Sequence, residues 1–73
     1  MRSVSPYSAY VRPSRAGGFV NLRWGPSKGT EVIERLYADH ILTVIAWGNG
    51  WAQVSDQETG YTGYIMEDFL ATY

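Results

Sequence analysis

The sequence predicts an all-β fold, a small and partly open barrel of five to six short strands with one short helical turn near the C-terminus. Three observations carry this expectation. Short runs alternate between apolar and polar residues with the period of two that a half-buried strand requires. Gly, Pro, Asn and Asp clusters punctuate those runs at close intervals. The 73-residue chain is 45% hydrophobic, with three Trp, six Tyr and two Phe but no Cys. A chain this short buries a modest share of its surface, and it has no disulfide or thiolate metal site to staple it. Its stability must therefore come from packed aromatic and branched side chains.

Residues 1–17 read as an N-terminal linker or loosely docked arm, because Ser3, Ser5, Pro6, Ser8, Pro13, Ser14 and Gly17 break every periodic pattern. Within it, Tyr7, Tyr10 and Val11 are able to add an edge strand to the body. The body spans residues 18–73. Phe19–Arg23 alternates, with Val20 and Leu22 on one face and Asn21 and Arg23 on the other. Gly25-Pro26-Ser27-Lys28-Gly29 is a loop, and Val32–Leu36 is apolar again but too short for an unaided helix. Asp39-His40 makes a turn. Ile41–Trp47 is the strongest strand, so apolar that much of both its faces is expected to be covered. Gly48-Asn49-Gly50 suits a hairpin that needs positive φ, and Trp51–Ser55 alternates out of it. Asp56–Gly60 is a second polar turn. Tyr61–Met66 is a further strand, in which Gly63 marks a bend or close approach. Glu67-Asp68-Phe69 forms one helical turn before Leu70 closes the barrel. The echo of Thr59-Gly60-Tyr61 in Thr62-Gly63-Tyr64 is too short to be a repeat.

Charge is unevenly spread. The formal net charge of −1 conceals +5 over residues 1–28 (Arg2, Arg12, Arg15, Arg23, Lys28) and −6 over residues 29–73. The basic strip either meets an anionic polymer or lies against the acidic body and neutralises it, and the second is the simpler expectation.

Several pieces, in order, resemble one family. Val20-Asn21-Leu22-Arg23-Trp24-Gly25-Pro26-Ser27 is similar to the Asn-Val-Arg-Ser-Gly-Pro-Ser signature of bacterial Src homology 3 (SH3) domains. Val32-Ile33 with Leu36 and Leu42–Ile45 resemble that family's next strands. Gly50-Trp51-Ala52-Gln53-Val54 resembles its Gly-Trp-x-x-Val element, and Gly63–Leu70 its closing Gly-Tyr-Val-x-x-x-Tyr-Leu. The resemblance covers residues 18–72 and departs from the pattern at four positions. Trp24 replaces a small residue, Asp39 a turn Gly, and Phe69 a Tyr. Met66 stands where eukaryotic relatives carry a groove Pro, which argues against proline-rich ligands.

The resemblance implies a non-catalytic binding module of a larger exported bacterial protein, at the cell envelope or outside the cell. The expected ligand is cell-wall peptidoglycan peptide, held in a shallow groove of Trp24, Lys28, Trp51, Tyr64 and Phe69. Flat aromatics bury large area at low entropic cost, and Lys28 supplies charge-assisted hydrogen bonds to a ligand carboxylate. Of these residues, Tyr64 is expected in the core rather than the groove. Arg23 is expected to tie down the first loop, and Trp47 to be a packing or edge residue. The alternative is a module that docks a neighbouring catalytic domain of the same protein or another protein, positioning or gating it.

Catalysis is not expected. A lone His40 with no Cys offers no papain-like nucleophile, and it reads as a solvated turn residue. The pairs Asp56/Glu58 and Glu67/Asp68 read as solvated turn acids. One His with scattered acids is a weak metal signal, so no metal and no cofactor is expected, and no phosphate-cradling Gly loop is present. Single-stranded nucleic acid needs a basic groove, and this body is acidic, so no nucleic-acid partner is expected. No apolar run approaches the ~20 residues of a membrane helix, and residues 1–10 lack a signal-peptide core, so an exported parent would be longer than this chain. The expected state is a monomer, with a strand-exchanged dimer as the variant that exposed edges permit.

Overall fold

Alternation along the strands sets which side chains become core in the computed structural model, which describes residues 2–72. The outer ends of the two expected segments, residues 1 and 73, lie outside the described residues. Seven strands form: β1 (Arg2–Val11), β2 (Phe19–Arg23), β3 (Val32–Tyr37), β4 (Ile41–Gly48), β5 (Trp51–Ser55), β6 (Thr62–Met66) and β7 (Leu70–Ala71). A 3-10 turn, Glu67–Phe69, separates β6 from β7 where the sequence places its helical turn. The strands make one antiparallel sheet in the order β3-β2-β6-β5-β4-β1-β7.

Val20 and Leu22 of β2, Leu36 of β3, Leu42 and Val44 of β4, Val54 of β5 and Ile65 of β6 pack into one buried cluster with Ala9 and Val11 of β1. Strands β3 and β1 stand far apart in the sheet order yet share this core. The sheet is therefore rolled on itself, with unpaired edges at β3 and β7 leaving it open. The sequence-predicted fold class holds, with seven strands rather than five or six.

At the N-terminus, where the sequence allows a loosely docked arm to add a strand through Tyr7, Tyr10 and Val11, the strand forms and extends back to Arg2. Arg2–Val11 is the longest strand, and it pairs with β4 from Arg2↔Trp47 to Tyr10↔Ile41. Its register shifts between Ser3 and Tyr7, and Pro6 falls inside that irregularity, where a missing N–H costs no ladder bond. Further on, Ala9 and Val11 are core. Val11 is clamped by backbone bonds, donating to His40 O (2.9 Å) and accepting from Asp39 N (2.9 Å).

β4 also departs from expectation. Its continuous apolar run has one buried face, while Ile41 and Trp47 are 47% and 43% exposed. Its neighbours β1 and β5 lie beside it in the sheet rather than across its outer face. A register shift between Val44 and Ala46 then puts Trp47 opposite Ala52 of β5.

Two turns depend on positive φ. Asn49 (57°) and Gly50 (83°) make the two-residue hairpin between Gly48 and Trp51, and Asp39 (68°) turns the chain from β3 to β4. Asp39 thus adopts the left-handed geometry that Asp tolerates better than most residues with a side chain.

Candidate functional site

Outward-pointing residues of β2 and β5 meet the end of β6 and the 3-10 turn in a groove of about 160 Å³. Phe19, Asn21 and Arg23 supply one wall, with Lys28 on the loop above them. Trp51, Met66 and Phe69 supply the other. The Asn49-Gly50 turn delivers Trp51 to this position, and Met66 is its partner across the ladder. Glu67 N donates to Gly50 O (2.9 Å), fastening the 3-10 turn to the hairpin so that Phe69 stands near Trp51. Phe69 also packs against the core, which limits its rotamers.

The first loop is built around Arg23. Its Nη1 donates to the carbonyls of Lys28 (2.8 Å) and Thr30 (2.7 Å), the tie-down role expected of it. The Thr30 hydroxyl lies within hydrogen-bond distance of the carbonyls of Gly25 (2.9 Å) and Ser27 (2.6 Å). Lys28 is exposed at the groove rim on a loop that is held by its own carbonyls.

Of the five sequence-predicted residues, the fold brings Lys28, Trp51 and Phe69 together in this groove. Trp24 is 54% exposed and stands outside the lining, its ring edge-on to Tyr61 at 6.1 Å and 88°. Tyr64 lies on the outer face of β6, opposite Gln53 and beside Arg23, half-buried and outside both the core cluster and the groove lining. Met66 lines the groove at the position where the resemblance places a groove Pro, whereas Phe19 and Asn21 were missed by the sequence reading. The alternation of β2, which puts Phe19 and Asn21 on the same face as Arg23, was the signal that could have found them.

Trp47 lines a separate cavity of about 310 Å³ with Tyr7, Ala9, Ala52 and Leu70. Strand β1 of the basic segment lies against β4 and β7 of the acidic body, as expected, but without direct ion pairs. Among the described residues the ion pairs involve His40, and no Arg or Lys lies within 4.0 Å of a carboxylate.

His40 is not the solvated turn residue the sequence suggests. Its Nε2 lies 3.0 Å from Asp56 Oδ2, and Asp56 is 0% exposed. Glu58 N donates to Asp56 Oδ1 (3.0 Å), and Glu58 Oε2 lies 3.5 Å from His40 Nδ1. Glu34, which accepts from the Thr59 hydroxyl at 3.2 Å, completes the cluster. Burial, and then the neighbouring Asp56 carboxylate, pushes the Glu34 carboxyl above its ordinary value. Burial would also raise Asp56, but hydrogen bonds from Glu34, the Glu58 N–H and His40 outweigh it and hold that carboxyl below its ordinary value. A cleft of about 500 Å³ between β3 and β4 opens onto these groups.

A rolled antiparallel sheet of short strands, with an aromatic groove between its first loop and its β4–β5 hairpin, defines an SH3-like barrel. The family model for the bacterial SH3 domain matches residues 16–70, and the chain belongs to that family. Bacterial SH3 domains are generally binding modules without catalytic machinery, and they are common in exported or cell-envelope proteins. Among solved structures, the structure of NlpC2 from Trichomonas vaginalis is similar, with a TM-score of 0.77 and 21% sequence identity over 94% of this chain. That likeness is one of fold, and this chain spans 24% of the NlpC2 chain's length. No curated protein sequence matches the chain.

Proposed function

We propose that this domain is a non-catalytic recognition module of a larger exported bacterial protein, and that it binds cell-wall peptidoglycan peptide in the groove between the first loop and the β4–β5 hairpin. The observation that carries the reading is the convergence of Trp51, Phe69 and Lys28 on one groove beside Asn21. Two aromatic faces suit the flat, extended backbone of a short peptide, and Asn21 is able to hydrogen-bond its amides. Lys28 has no carboxylate within 4.0 Å among the described residues, so its ammonium is available for a ligand carboxylate. Tyr64 and Trp24 extend the recognition surface away from Phe69 along β6 and the first loop. Membership of the family supports a binding role, and the fold's place within the longer NlpC2 chain supports a module joined to other domains.

The second reading is docking of a neighbouring domain in the same groove, which that same placement within a longer chain favours. A pull-down with purified Gram-positive sacculi separates the two. Retention of the wild type and loss by Trp51→Ala and Lys28→Ala, each folded by circular dichroism, supports wall recognition. A folded wild type that stays in the supernatant overturns it in favour of docking.

A further inference from the structure

The cleft between β3 and β4 carries a second set of functional groups, on a different part of the surface from the aromatic groove. Glu34, His40 and Glu58 line it, with Tyr37, Thr43 and Gln57 around them. Buried Asp56 lies behind His40. One ligand atom from each of His40, Asp56 and Glu58 falls within 4.8 Å of the others.

The two nitrogens of the His40 ring are placed differently. Nε2 is at hydrogen-bond distance from Asp56 Oδ2, 3.0 Å away. Nδ1 faces Glu58 Oε2 at 3.5 Å, too long for a strong hydrogen bond. If Nε2 carries the ring proton toward Asp56, Nδ1 presents a lone pair to a carboxylate oxygen. Two acceptors facing each other need a cation between them, either a second proton or a metal ion. Two ligands of a tetrahedral ion with bonds of ~2.0–2.2 Å stand roughly 3.3–3.6 Å apart, which matches this gap. The Asp56–His40 pair is also what metal-binding histidines use, since their other ring N–H is usually held by a carboxylate. Asp56 is well placed for that, being buried and fixed in turn by the Glu58 N–H.

The electrostatics point the same way. Asp56 and Glu58 both face one imidazole, and although Arg35 lines the same cleft, no Arg or Lys among the described residues lies within 4.0 Å of either carboxylate. A divalent ion would relieve that excess of negative charge, and the open cleft gives it a path in.

We propose that this cleft is a binding site for a divalent transition-metal ion such as Zn²⁺, with His40 Nδ1 and Glu58 as ligands and Asp56 orienting the ring through Nε2. Glu34 supplies a further carboxylate at the mouth, and water fills the remaining positions. Imidazole nitrogen with carboxylate oxygen suits Zn²⁺ better than Ca²⁺ or Mg²⁺, which favour all-oxygen sets. In this role the ion braces the β3–β4 turn against the Asp56–Gly60 turn.

The test is isothermal titration of zinc chloride into the purified domain, with tag removed, beside Glu58→Gln and His40→Gln. The Glu58 side chain is 77% exposed, so its variant keeps the fold. The expected result is saturable one-to-one binding in the wild type, weakened at least ~10-fold in both variants. A ¹⁵N spectrum of the imidazole should show Nδ1, not Nε2, shifting on zinc addition. No saturable binding up to about 1 mM zinc, or equal affinity in the wild type and Glu58→Gln, would overturn the proposal. Should His40→Gln fail to fold, the Glu58→Gln comparison decides alone.

Discussion

Gly63→Ala tests how tightly the barrel is closed beneath the groove. Gly63 is buried on β6, opposite Val54, and its φ is not in the left-handed region, so the site demands space rather than backbone freedom. A Cβ there would lie 2.6 Å from Arg23 O, 2.7 Å from Ile33 Cδ1 and 3.1 Å from Leu22 Cγ. The Ile33 methyl can swing aside, but the Arg23 carbonyl belongs to the β2 backbone. Restoring an ordinary C···O separation of ~3.3 Å means parting β6 from β2 by about 0.7 Å. Overpacking of this kind costs about 1–3 kcal/mol, and a rigid carbonyl places this case toward ~2–3 kcal/mol. A domain of this length has roughly 4–11 kcal/mol in total. The substitution therefore removes a large share of the stability and lowers Tm by about 10–20 °C, at ~4–8 °C per kcal/mol. Thermal and urea melts followed by circular dichroism measure it directly. A Tm within about 2 °C of wild type would refute the reasoning, because it would mean that β2 and β6 separate freely.

Other substitutions probe the loop, the turn and the cluster. Arg23→Ala removes the two bonds that hold the first loop, so stability falls by about 1–2 kcal/mol and Thr30 exchanges its amide hydrogen faster, as hydrogen–deuterium exchange will show. Asp39→Gly relieves a non-glycine residue at φ 68°, so the turn becomes more stable by up to ~1 kcal/mol, read from the urea midpoint. Glu34→Gln raises Tm at neutral pH in metal-free buffer. The wild-type carboxyl binds its proton more tightly folded than unfolded, so its ionisation costs stability above the raised value. That cost disappears as pH falls below the unfolded value of 4.5, and the variant's advantage goes with it. Asp56 works in the opposite sense. Its depressed carboxyl stabilises the fold above the unfolded value of 3.8, and that contribution is lost as pH falls through its lower folded value.

Local signals were readable from sequence where one short segment decides the structure. Asn49-Gly50 allows little but a tight hairpin, alternation placed Val20, Leu22, Val54 and Ile65 in the core, and Glu67–Phe69 formed its turn as expected. Trp51 and Phe69 reached one groove because each sits at a fixed offset from those turns, and Lys28 joins them from the first loop. The full length of β1 beyond Tyr7–Val11 was obscured because Ser and Pro hide a strand whose pairing to β4 is non-local and whose register breaks around Pro6. Trp24 and Tyr64 depended on tertiary choices, the first turning toward Tyr61 and the second joining the outer face of β6. The His40–Asp56 pair was invisible for the same reason, since sixteen residues separate its members and only the rolled sheet brings them together.

The three tryptophans sit in three different places: Trp51 in the groove, Trp24 against Tyr61, and Trp47 beside the cavity under β1. Titration of soluble peptidoglycan stem peptide, followed by the indole N–H resonances, therefore reports which surface is occupied. Peptide recognition in the groove predicts a saturable shift of the Trp51 signal while the Trp47 signal stays in place. Three unmoved resonances, or a shift confined to Trp47, would contradict it.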